Sequence, residues 1–150
     1  MVMELCCGPI GKAEVQQEIP FLCALVRGGG SQQIGVMYGL ACRAEDGALW
    51  TESKIEAPLL DEWIADSIRR GIYSPGECDL FIFDGERLTV QLCHESDIHV
   101  ETTEVQIIRD CTARWLERRF RVVSKPLSTG NDWKEVGCIE DVVSGAGSHD

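Results

Sequence analysis

Residues 79–93, Asp-Leu-Phe-Ile-Phe-Asp-Gly-Glu-Arg-Leu-Thr-Val-Gln-Leu-Cys, constrain the fold more than any other stretch. Asp84-Gly85 supplies the positive φ of a tight turn. Leu88, Val90 and Leu92 then alternate with polar neighbours, the period of a strand with one buried face. The outgoing limb from Leu80 to Phe83 is apolar on both faces, so it belongs inside a sheet. His94-Glu95-Ser96-Asp97 forms the next turn, and Ile98 and Val100 alternate with His99 and Glu101 in a third strand. Three strands in antiparallel succession make a meander.

The same reasoning extends to both sides. Residues 58–71 open on a proline, carry acids early and arginines late and end on Gly71, with Leu60, Ile64 and Ile68 at helical spacing beside Trp63. Upstream, residues 34–42 and 49–55 read as a hairpin closed by Glu45-Asp46-Gly47. The apolar run from Ile19 to Val26, closed by Arg27-Gly-Gly-Gly-Ser31, reads as a further strand with Pro20 near its start. Downstream, Thr103 and Gln106 fit a capping box before a helix with Val105, Ile108, Cys111 or Thr112, Trp115 and Leu116 on one face. A last strand is expected around residues 120–123. The expected fold class is α+β: a two-layer antiparallel sheet of five to seven strands with two helices on one face, ordered βββαβββαβ, plus a short C-terminal helix or tail. A single domain is expected over residues 1–125. Residues 126–150 form a linker, then a docking helix carrying Trp133, Val136, Ile139 and Val143 or a disordered tail.

The 150 residues carry a net charge of −11, unevenly spread: 7 Lys+Arg against 17 Asp+Glu in residues 1–101, 6 against 3 in residues 102–125, and 1 against 5 thereafter. Such a surface repels polyanions, so nucleic acid is not an expected ligand, whereas a basic protein would be attracted. No apolar run reaches the roughly 18 residues of a membrane span, and the start lacks a secretory pattern. A cytoplasmic protein is the expectation, with its eight cysteines reduced and mostly buried. Cys6-Cys7-Gly8-Pro9-Ile10 has only one cysteine of a redox pair, and the N-terminus reads as frayed or packed.

No motif fixes a reaction, and no cofactor is expected. The reading from composition is a non-catalytic acidic domain of the inhibitor or immunity type that binds a basic protein. Its contact carboxylates would be Asp61, Glu62, Asp66, Glu77, Asp79, Asp84 and Glu86, with Trp133 as an aromatic anchor. Two alternatives stand beside it. A metal- or thiol-dependent enzyme could be centred on residues 93–101, where Cys93, His94, Asp97, His99 and Glu101 offer N, O and S donors. A self-assembling adaptor, such as a homodimer, could dock the basic cluster Arg114, Arg118, Arg119, Arg121 and Lys125 on a neighbour's acidic face.

Overall fold

A computed structural model of the chain describes residues 1–39 and 50–142. The elements are β1 (Met3–Cys7), α1 (Lys12–Arg27), β2 (Gln33–Gly39), β3 (Trp50–Glu56), α2 (Leu60–Arg69), β4 (Asp79–Asp84), β5 (Leu88–Leu92), β6 (Ile98–Thr102), α3 (Val105–Glu117), β7 (Val122–Pro126) and β8 (Lys134–Glu135). A further helical stretch starts at residue 139. The strands form one antiparallel sheet ordered β3-β2-β4-β5-β6-β1-β7-β8. The α+β class and the helix-covered face match expectation, but the strand count and the order do not.

Three differences account for this, the third being β8, which lengthens the sheet where a linker was expected. The first is at residues 19–26, which lie within α1 rather than a strand. Val15, Ile19, Leu22, Cys23 and Val26 recur at i, i+4, i+7, i+8 and i+11 and are buried as one stripe. Pro20 sits on the exposed side of the helix, where the Gln16 carbonyl that it cannot bond can face water. The second is the N-terminus, which is not frayed. β1 runs between β6 and β7 near one side of the sheet, with Leu5 opposite both Val100 and Ser124.

Alternation decides which face is dry. Leu5, Cys7, Ile34, Val36, Leu80, Ile82, Leu88, Val90, Ile98 and Val100 share one parity and join the buried residues of all three helices in a single core. Burial of this apolar area is the main stabilising term, roughly 25 cal/mol per Å². Among the described residues no helix covers the other face, which carries Phe81 and Phe83 stacked at 5.9 Å, then a polar region toward β1.

The remaining elements largely follow their local signals. In α2 the N–H of Ile72 bonds the Ser67 carbonyl beyond Gly71, whose φ of 72° lets the helix terminate. The β4–β5 turn places Gly85 at φ 53° and returns the Arg87 N–H to the Asp84 carbonyl. β2 and β3 pair as the predicted hairpin, but the Glu45-Asp46-Gly47 turn lies outside the described residues. The capping box does not form. Thr102 Oγ1 instead accepts from the Glu104 N–H at 3.0 Å, and Val105 is exposed while Ile107 and Ile108 are buried. Beyond residue 126 the chain stays on the sheet: β8 pairs with β7, and Val136 and Val142 are buried. Residues 143–150 lie outside the described residues.

Candidate functional site

Pairing register builds one polar cluster on the open face. Cys6 stands opposite His99, and Glu4 opposite Glu101 and Lys125, so side chains far apart in sequence share a face of β6, β1 and β7. The 93–97 turn then folds toward them: the Cys93 N–H bonds the Asp97 carbonyl at 2.9 Å, with Ser96 at φ 65°. The Ile10 N–H ties the Ser96 carbonyl to the segment after β1 at 2.8 Å. Gly8 permits this approach. A Cβ there would lie 3.0 Å from the Asp97 Cα and from the Ser96 carbonyl, and its φ of 118° suits only glycine.

In the resulting cluster His99 Nε2 lies 3.3 Å from Asp97 Oδ2 and 3.6 Å from Cys6 Sγ, and Cys6 Sγ lies 3.8 Å from Asp97 Oδ2. On the other side of the ring His99 Nδ1 is 3.4 Å from Glu4 Oε1, and Lys125 Nζ is 3.9 Å from Glu4 Oε2. Burial works against a charged His99, but contact with Asp97, Cys6 and Glu4 outweighs it and raises its pKa. Burial likewise opposes a charged Asp97, yet bonding to His99 and Cys93 holds it below the ordinary carboxylate value. Glu101 is pushed upward by burial and by Glu4. Trp133 covers the cluster, its ring centroid 6.1 Å from that of His99 and 5.1 Å from Lys125 Nζ.

The donors predicted from residues 93–101 therefore divide. Asp97 and His99 come together with Cys6, a partner that lies more than 90 positions away and that local spacing could not reveal. His94 turns to Asp79, which accepts from the His94 backbone N–H at 2.8 Å and sits 3.0 Å from its Nδ1; that carboxylate raises the His94 pKa. Cys93 is pushed to about 12, first by burial, although the Glu95 backbone N–H acts in the opposite direction. Glu101 faces the same side as His99 but sits beside Glu4.

The predicted contact carboxylates are dispersed. Asp79 and Asp84 are 1% and 4% exposed and serve the fold, Asp79 at the 93–97 turn and Asp84 with Arg87, which also donates to the Leu25 carbonyl at the end of α1. Asp61 pairs with Arg27, Asp66 with Arg69, and Glu77 with Lys12, which lowers the Glu77 pKa. Glu62 and Glu86 are exposed. Glu77 precedes β4 and Glu86 follows it, so roughly 20 Å of strand separates them.

No protein-family model, curated protein or solved structure matches this chain.

Proposed function

We propose that the chain is a non-catalytic, acidic protein-binding domain of the inhibitor or immunity type, acting on a partner with a basic surface. The observation that carries this reading is the internal use of its cations. Among the described residues, Lys12, Arg27, Arg69, Arg70, Arg87, Arg114, Arg118, Arg121 and Lys125 each lie within ion-pair distance of a carboxylate of the same chain. With few cations uncommitted, the surplus reflected in the charge of −11 is carboxylate, and its field draws in a basic protein.

A groove of about 520 Å³ between edge strand β3 and α2 gives that partner a place to dock. Exposed Leu59 and half-buried Trp63 offer apolar contact there, and Glu56, Glu62 and Asp66 outnumber the two cations of the lining, Lys54 and Arg69, the latter paired with Asp66. Among the described residues β3 is the end strand of the sheet, and a cationic, extended segment can pair with its outer edge while its side chains reach these carboxylates. Asp79 and Asp84 are excluded from this contact by burial, and Trp133 by its place near the other end of the sheet.

The test is binding, by calorimetry, to basic proteins encoded beside this chain. Expected are an affinity that falls steeply with salt and at least a tenfold loss in Glu62→Lys and in Leu59→Asp. Binding indifferent to salt and to both substitutions, or no binding to any such protein, overturns the reading.

A further inference from the structure

The geometry points to a metal site on the open face, in which Cys6 Sγ, Asp97 Oδ2 and His99 Nε2 are three ligands of a zinc-class divalent ion. Spacing is the first reason. With bonds of about 2.0 Å to N and O and about 2.3 Å to S, a tetrahedral ion sets its ligand atoms about 3.3 Å apart for N···O and about 3.5 Å apart for S···N and S···O. The three separations here are 3.3, 3.6 and 3.8 Å. An imidazolium–carboxylate hydrogen bond would instead close to about 2.8 Å. These donors stand at the spacing of ligands around a common centre, and the hydrogen bonds among them are long.

The surroundings agree. Glu4 Oε1 stands 3.4 Å from the far nitrogen of His99, which is buried and makes no hydrogen bond, so the carboxylate is in place to orient a metal-bound imidazole with a small closure; Lys125 lies against the other oxygen of Glu4. Asp97 Oδ1 is buried and accepts no hydrogen bond. Three separate pieces of backbone hold the donors: β1, β6, and the turn that Gly8 allows to close against them. The neighbouring Asp79, Cys93 and His94 differ, because the Asp79 carboxylate is already engaged by the backbone and ring of His94.

A thiolate and an imidazole favour zinc over calcium or magnesium, and the thiolate and carboxylate together neutralise a divalent charge. Cys93 approaches Asp97 without joining the other two donors, which leaves the fourth position to an exogenous ligand such as water.

The test is titration of the full, reduced, chelator-treated chain with cobalt(II), read by its visible spectrum, followed by displacement with zinc(II). Expected are one cobalt per chain, a thiolate-to-cobalt charge-transfer band, and loss of that band in Cys6→Ser. Asp97→Asn and Glu4→Gln should each weaken zinc binding by about 10- to 100-fold, while His94→Gln and Cys138→Ser leave it unchanged. Asp97→Asn and Glu4→Gln decide the matter if Cys6→Ser fails to fold. The site is overturned by substoichiometric cobalt without the band, by a band that survives Cys6→Ser, or by affinities unmoved in both carboxylate variants.

Discussion

Two carboxylates are removed from water on opposite faces of the sheet, and their surroundings differ. Glu18, on α1 on the helix-covered side and fully buried, receives from α3 Arg114 Nε and Nη2 at 2.9 and 2.7 Å and the Trp115 indole N–H at 2.8 Å. Glu4, on the open face, stands 3.4 and 3.9 Å from His99 and Lys125, and beyond His99 the nearest groups are no closer than 3.3 Å. Buried charge is stable when its lone pairs are filled at short range, as around Glu18. A polar group gathered but left at longer range keeps lone pairs open to a further partner. The difference separates a structural ion pair from a candidate site using distances alone.

Breaking the filled side should cost most. Arg114→Ala leaves Glu18 buried with Trp115 and with Arg118, whose Nε is 3.6 Å away, so a loss of about 3–5 kcal/mol is expected. Arg114 is itself 32% exposed on its side chain, which places the expected value toward the lower end. Urea denaturation of the variant measures it; a loss below 1 kcal/mol would show that Glu18 is not held by this pairing.

On the open side the sensitive point is backbone. Gly8→Ala forces a side chain into the space of Asp97 at a φ that alanine rarely adopts, and is expected to cost about 2 kcal/mol. It should also separate Asp97 from Cys6 and His99, so the cobalt spectrum and the melting temperature are measured on the same sample. A drop in stability with unchanged cobalt binding would mean that the turn does not set the ligand spacing.

The covered side makes a further prediction through its thiols. Burial, followed by the charges of Asp110 and Glu18, raises the pKa of Cys111, and burial raises Cys23 to about 11 although Arg27 acts in the opposite direction. A group with a raised folded pKa gives stability that is complete below its unfolded pKa and is lost as pH rises toward the folded one. Above about pH 8.5 each such thiol should therefore remove about 1.4 kcal/mol per pH unit. Cys111→Ala, less stable than the parent at pH 7.5, should narrow that gap at pH 9.5. Parallel stability curves would show that Cys111 is not held neutral.

The same contrast explains what could be read from the chain beforehand. Strands β4 to β6 were legible because Leu88, Val90 and Leu92 alternate strictly and Asp84-Gly85 marks the turn between neighbours in sequence. The stripe Leu60, Ile64, Ile68 was legible in α2 for the same local reason. Residues 19–26 misled because Pro20 argues against a helix and the unbroken run Phe21–Val26 hides a stripe that begins at Val15. His99 and Asp97 were visible as polar residues on a strand and a turn. Cys6 was not, because its place opposite His99 arises from the long-range pairing of β1 with β6.

The smallest effect expected concerns the cover of the open cluster. Trp133 reaches it from a short segment whose only strand pairing is the two-residue β8, and its ring rests on His99 and Lys125. Trp133→Ala gives up one aromatic–imidazole contact and one cation–π contact, about 1 kcal/mol together. Its larger consequence is access, since Cys6 is 7% exposed beside this neighbourhood while Cys23 and Cys111 are fully buried within α1 and α3. Alkylation of the folded, metal-free variant should therefore accelerate at Cys6 and not at Cys23 or Cys111, as read by peptide mass spectrometry. Equal acceleration at all three would mean that the substitution loosens the whole fold, and that the two faces are less independent than their distances imply.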